Sequence, residues 1–522
     1  MRNKIKILVF GSVAVVVLFS VLAFHSRNVF ETVKVEGGLI SGTTDSSGDL
    51  HIFKGIPFAA PPVGDLRWKA PQPVVPWQGV KKCNAFGPSP MQGNPVPFGP
   101  WSEEYLIPKE PISEDCLYLN VSTAAKSQDE KRPVLVWIYG GGFVSGGSGV
   151  PIYDGEAMAK KGIVFVSINY RVGIFGFFAL PELTEESKQH SSGNYGILDQ
   201  IAALHWVQKN ISAFGGDPAN VTIAGQSAGS MSVNCLVASP LCKGLFKRAI
   251  GESGASFIEG ARHSPTLAEA ENEGVQLEKK ININSLEELR NISAQQLLSL
   301  SWRMNSPKVD GYLLPESIPT IFEEDKQNQV DLLTGWNEDD GVIFGKPSNV
   351  DAFKKEIELQ YGKNAKRILK YYPAQNDEQA ANSQKRITRD VQFGIQNYTW
   401  ASEHARESSH PVFLYRFIRK LPATGEYVKY GAFHTGEVAY AYGNLRFVNR
   451  CPWQPVDFEL EKTMLSYWSN FVKNGNPNGD GIPEWPAFNN KTNEVMFLGE
   501  NPVAKSLPDK KSLDELINVL GK

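Results

Sequence analysis

The chain has 522 residues, is 42% apolar and 21% charged, and carries a formal net charge of −3. This composition is ordinary for a soluble globular protein with a deep core, and the lack of a basic excess excludes nucleic acid as an expected partner. Five cysteines without a Cys-x-x-Cys pair and eight histidines without a cluster exclude a zinc site, so no metal and no cofactor is expected.

In chain order, "MRNKIK" puts positive charge ahead of "ILVFGSVAVVVLFSVLAF", a run of 18 residues without charge. That order marks an export signal, and the length also meets the lower limit for a membrane-spanning helix. Residues 1–24 are therefore read as a signal peptide or an N-terminal membrane anchor. The rest is expected to work outside the cytosol, with residues 30–518 as one domain. "VKVEGGLISGTT" and "LHIFKGIPF" alternate like an antiparallel hairpin. "RPVLVWIY" and "GIVFVSINY" are near-continuous apolar runs, the pattern of strands covered on both faces. "GILDQIAALHWVQKNISAF" places Ile197, Ile201, Leu204 and Val207 at helical spacing. "NVTIAG" is a third strand, followed at once by a second helix. This alternation predicts an α/β fold, a mostly parallel sheet with helices on both faces. Residues 260–330 read as a polar, helical insertion. "DFELEKTMLSYWSNFVKNG" reads as a helix through Leu460, Met464, Trp468 and Phe471, ended by Asn474 and Gly475.

The chemistry centres on "AGQSAG", residues 224–229, where Gly225 and Gly229 flank Ser227. Gly-x-Ser-x-Gly alone is a weak signal in a chain with 47 glycines. Between a strand end and a helix start it marks a nucleophile elbow, so Ser227 is read as the nucleophile. "WIYGGGF" sets three glycines directly after a strand; Gly141 and Gly142, with the N–H of Ala228, are read as the oxyanion donors. In this arrangement the acid and then the histidine follow the serine. His404 lies in a helix-like polar run and reads as a solvated face residue. His410 precedes a proline and a strand, as at a boundary. His434 sits in a Gly-flanked loop, the better place for an accessible imidazole, and is read as the base. The acid comes from "GWNEDDG", which offers Glu338, Asp339 and Asp340; spacing does not choose among them.

These segments together resemble the type-B carboxylesterases, the family that includes the cholinesterases. "FGGDPANVTIAGQSAG" resembles the nucleophile signature and "EDCLYLNV" the second signature. "GIPFAAPPVGDLRWKAPQPVVPW", "INYRVGIFGFF", "FVKNGNPN" and "EWP" read as family segments, so the likeness covers roughly residues 33 to 500. The resemblance implies an α/β-hydrolase fold and selects Asp340, ahead of Gly341, as the acid, although most relatives carry Glu there. It matches His434 and Glu437 to the family's histidine and following glutamate. It also implies that Ser253 supports the histidine, that Arg67 and Glu114 form a structural ion pair, and that Cys83 and Cys116 form a disulfide.

The expected activity is hydrolysis of neutral carboxylic esters to acid and alcohol through an acyl-enzyme, with a small-molecule ester as partner. Cholinesterases carry Glu before the nucleophile; neutral Gln226 stands here, and Leu106 stands where their choline-binding aromatic lies. Trp101 is read as a wall of the acyl or alcohol pocket. Two rivals are a lipase for longer acyl chains, for which no long apolar lid is visible, and a non-catalytic adhesion relative, which would carry a broken triad.

Overall fold

Alternate residues of the central apolar runs enter two different cores. In Arg132–Ile138, Val134, Val136 and Ile138 pack into one core, and Leu135 and Trp137 into the other. In Val164–Ile168, Val164, Val166 and Ile168 face the first core and Phe165 the second. The period of two therefore survives in strands buried on both faces.

The computed structural model describes residues 30–521 apart from 110, 284, 346–348 and 408; the segment read as a leader lies outside the described residues. Eleven strands form one sheet: β1 (Thr43–Thr44), β2 (His51–Pro57), β3 (Tyr118–Thr123), β4 (Arg132–Ile138), β5 (Val164–Ile168), β6 (Gly216–Gln226), β7 (Arg248–Glu252), β8 (Asp331–Asn337), β9 (Val412–Phe417), β10 (Glu494–Leu498) and β11 (Val503–Ser506). The spatial order is β11-β10-β9-β8-β7-β6-β4-β5-β3-β2-β1. Neighbours from β5 to β10 run parallel, and the strands at both edges are antiparallel.

The helices used below are α1 (Tyr195–Asn210), α2 (Ala228–Ala238), α3 (Leu267–Ile281), α4 (Asp377–Arg389), α5 (Ile395–Glu407), α6 (Pro455–Asn474) and α7 (Lys510–Leu520). α6 begins with proline in its first turn and stops at Gly475, whose φ of 79° is the left-handed stop that the sequence predicts. The 260–330 insertion is helical as expected. α3 opens with a capping box between Thr266 and Glu269, and the insertion packs against Trp68 and Phe178 in a satellite core. Among the described residues no helix is long and apolar enough to cross a membrane.

Two expectations fail here. The single hairpin is two separate pairings. Val33–Val35 pairs with Gly38–Ser41, which adds Val80–Lys82 in a small sheet of its own, while β1 pairs with β2. The chain passes between them at Gly42, where an added Cβ would stand 2.4 Å from the Ile52 carbonyl oxygen. The Cys83–Cys116 disulfide is absent, and all five cysteines are free and buried. Cys83 aligns with Lys54, whose N–H donates to the Cys83 carbonyl, whereas Leu117 aligns with Phe58 in the same way. Burial pushes the Cys83 thiol up to about 11 and raises that of Cys116 further, so neither is poised as a thiolate.

Candidate active site

The carboxyl ends of β4, β6 and β8, and the loops after β8 and β9, converge on Ser227. β6 ends at Gln226 and α2 begins at Ala228, which leaves Ser227 as the whole turn, with φ 58° and ψ −124°. Such a conformation costs a non-glycine residue about 1–3 kcal/mol and persists only where neighbours impose it. Its N–H donates to the Glu252 carbonyl at 2.8 Å, and its own carbonyl accepts from the Met231 N–H at 2.9 Å. A Cβ on Gly229 would lie 2.1 Å from the Ile138 carbonyl oxygen, and one on Gly225 would lie 2.5 Å from Gly229 backbone. The two glycines are therefore required by contact: any side chain would push α2 off the sheet.

The loop after β4 is pressed against this elbow, because a Cβ on Gly140 would stand 2.5 Å from the Gln226 carbonyl and 3.0 Å from the Ser227 Cβ. Gly141 and Gly142 follow at φ 106° and 63°. Their N–H groups, like that of Ala228 in the first turn of α2, donate to no group among the described residues. A helix start adds positive potential at the same place.

The three carboxylates that spacing leaves equivalent have three different partners. Glu338 pairs with Arg389 at 2.9 Å and Arg416 at 2.8 Å. Asp339 accepts the Ala432 N–H at 2.8 Å and so ties down the loop that carries the histidine. Asp340, fully buried, faces His434, with Oδ1 2.8 Å from Nδ1. Its Oδ2 accepts from the Asn337 N–H at 2.8 Å and the Ser253 hydroxyl at 2.9 Å. A carboxylate only accepts, so the proton on His434 sits at Nδ1 and the Nε2 lone pair is turned inward.

Sequence reasoning and structure part at several residues. His434 is only 2% exposed, not an open loop side chain. Ser253 touches Asp340 rather than the imidazole, because β7 and β8 are neighbours and bring it against the turn after β8. His404 is on α5 as expected but fully buried; its Nε2 lies 2.6 Å from the Val330 carbonyl, and burial lowers its pKa to about 4. His410 lies two residues before β9, at the boundary expected, with Nδ1 2.8 Å from Asp331 Oδ1. The Arg67–Glu114 pair forms as a two-point contact, both bonds 2.6 Å long. Trp101 stands edge-on to His434 at 6.4 Å.

Other neighbours escape the sequence reading. Phe393 stacks on the imidazole at 4.5 Å and Phe344 meets its edge at 5.4 Å. Neither carries a local signal, since each is aimed by packing between distant segments. Beneath the elbow, Glu252 and Glu437 are fully buried. Burial pushes the Glu252 carboxyl up to about 7 and raises Glu437 well above the glutamate range, with Glu252 and Asp340 nearby adding repulsion. Thr435, next to the histidine, holds φ 83°, an outlier for a β-branched residue.

A strained serine between a parallel strand and a helix, with an imidazole–carboxylate pair from later strands, defines an α/β-hydrolase. The family model described as the carboxylesterase family matches residues 30–515. The para-nitrobenzyl esterase of Bacillus subtilis (strain 168) is 34% identical over 510 residues, covering 93% of this chain and 98% of its own. The liver carboxylesterase of Sus scrofa is 34% identical over 513 residues, 88% of this chain and 87% of its own. A solved PNB esterase superposes with a TM-score of 0.81 at 32% identity, covering 93% of this chain and 99% of that one. The chain belongs to the carboxylesterase family, and it is a serine carboxylesterase, a carboxylic-ester hydrolase.

Proposed function

We propose that Ser227 is the nucleophile, His434 the general base and Asp340 the acid that orients it, in the hydrolysis of neutral carboxylic esters. His434 Nε2 takes the Ser227 proton as Oγ attacks the ester carbonyl. The oxyanion rests on the N–H groups of Gly141, Gly142 and Ala228. His434 returns the proton to the leaving alcohol, and water repeats the sequence on the acyl-serine to release the acid. The observation that carries this reading is the buried Asp340–His434 contact of 2.8 Å beside the strained Ser227 turn. Neutral esters are favoured because Gln226, at the base of the site, brings no charge to attract a cation. The rings around His434 offer apolar walls: Trp101, Phe344 and Phe393. The names of relatives agree in kind, a para-nitrobenzyl esterase and a fumonisin B1 esterase of Sphingopyxis macrogoltabida.

A fluorophosphonate probe should label the wild-type protein and leave Ser227→Ala unlabelled, and short p-nitrophenyl esters should be hydrolysed by the first alone. Equal labelling of Ser227→Ala would move the nucleophile elsewhere.

A further inference from the structure

Trp101, Thr435, Gln226 and His434 form a hydrogen-bond chain that runs in one direction only. The Trp101 indole N–H donates to Thr435 Oγ at 3.2 Å. The Thr435 hydroxyl then donates to Gln226 Oε1 at 3.3 Å. The Gln226 amide nitrogen lies 3.2 Å from His434 Nε2, and the imidazole passes its Nδ1 proton toward Asp340 at 2.8 Å. A carboxylate can only accept, so in the neutral imidazole Nδ1 donates and Nε2 accepts; the Gln226 amide nitrogen then donates to Nε2, which turns Oε1 to the Thr435 hydroxyl as its acceptor. Thr435 holds its place in this chain at a φ of 83°. The lone pair required to take a proton from Ser227 is thus already occupied by the Gln226 amide. Among the described residues, no hydrogen bond joins the Ser227 hydroxyl to His434.

We propose that Gln226 is a positioning residue that caps the Nε2 lone pair of His434 in the resting enzyme, held in place by Thr435 and Trp101, and that Ser227 gains the imidazole only when this amide gives way. The inference rests on the assignment of Ser227 and His434 above. Both bonds that hold the amide are at the long end of the hydrogen-bond range, so the cap is weak enough to be displaced in each turnover. It begins at the mouth of the site, where Trp101 packs at 4.7 Å against Phe98, which is 61% exposed. Besides Gln226, the groups against the imidazole are Asp340, on Nδ1, and the rings of Trp101, Phe344 and Phe393, so among the described residues the Gln226 amide is the donor that holds Nε2, and the Ser227 hydroxyl is the one it keeps off.

The test compares Gln226→Met, which keeps the length but has no amide, with Thr435→Val, which keeps the shape but has no hydroxyl, and with their double variant. The readouts are the second-order rate of fluorophosphonate labelling, kcat and KM on p-nitrophenyl acetate, and Tm. Gln226→Met should label faster by roughly 2- to 10-fold, the scale of one net neutral hydrogen bond, with kcat rising and KM changed less than about twofold. Thr435→Val should move the same way by less, and the double variant should be no faster than Gln226→Met. Unchanged labelling in Gln226→Met overturns the proposal, as does slowing in step with a fall in Tm, or additive effects. Wild-type protein that fails to label, or Ser227→Ala that still labels, would instead overturn the assignment of the nucleophile.

Discussion

At Asp340 the two carboxylate oxygens have different work, which makes its amide analogue informative. Oδ2 takes two donors, the Asn337 N–H and the Ser253 hydroxyl, while Oδ1 takes the imidazole. In Asp340→Asn the amide oxygen is drawn to the side with two donors, so the NH₂ group faces His434 Nδ1. Nδ1 must then accept and the ring proton moves to Nε2, where it cannot take a proton from Ser227. We expect kcat on p-nitrophenyl acetate to fall by about 10³–10⁴, the scale of a tautomer error in this kind of site, with Tm little changed. A loss under tenfold would show that Asp340 does not orient the base. The elbow glycines were legible in the sequence because Gly225 and Gly229, four residues apart, meet across a single turn; that the Ile138 carbonyl of β4 also bars a side chain on Gly229 was not. Which of Glu338, Asp339 and Asp340 meets His434 was not legible from spacing. It depends on where Arg389, Arg416 and Ala432 stand, all distant in the chain.

Phe393 reaches His434 from a single wide π-type turn, Asp390–Gly394, between α4 and α5. Such turns insert a residue into a helix and re-aim the side chains that follow. This one is anchored by Arg389, only 1% exposed, which bonds Asp390 at 2.7 Å, Glu338 at 2.9 Å and Asp509 at 2.8 Å. Arg389 therefore joins α4, the turn after β8 that carries Asp340, and the start of α7. Arg389→Met would leave the fully buried Asp390 carboxylate with the Tyr372 hydroxyl as its remaining side-chain partner among the described residues. Breaking a buried pair this way costs about 3–5 kcal/mol, read as a lower denaturant midpoint at neutral pH; Arg416, which shares Glu338 and Asp509, keeps the loss toward the lower end. A midpoint within error of wild type would show the network to be dispensable. The strands and long helices were legible because each carries its own period. This turn and the burial of His404 were not, since a polar run gives no sign that a neighbouring strand will cover it.

Across the whole molecule, the α/β architecture followed from strand–helix alternation, whereas the absent Cys83–Cys116 bridge depends on how β2 and β3 align, which no single segment carries. The same convergence of distant segments creates the acid cluster under the elbow, where Glu252 from β7 meets Glu437 from the loop after His434. Tyr442 and Trp468 both donate to Glu252 Oε1, at 2.9 and 2.7 Å. Glu252 Oε2 and Glu437 Oε1 have no hydrogen-bond partner among the described residues. Burial raises the Glu252 carboxyl from 4.5 to about 7. The folded state thus holds a proton across that window that the unfolded state has released. Its contribution to stability is complete below about pH 4.5, falls as pH rises, and is gone above about pH 7, a loss of about 3 kcal/mol at 1.36 kcal/mol for each tenfold. Glu252→Gln removes the titration but keeps Oε1 as acceptor for both donors, and it leaves intact the backbone carbonyl that binds Ser227. The variant should therefore gain on wild type between pH 5 and pH 8, by up to about 3 kcal/mol in unfolding free energy, while near pH 5 the two should lie close together. Because Glu252 also raises Glu437, the gain includes relief of that neighbour. Denaturant midpoints of both proteins at pH 5, 6.5 and 8 decide the matter: a difference independent of pH would mean that Glu252 is ionised throughout, its charge met by the Tyr442 and Trp468 donors alone.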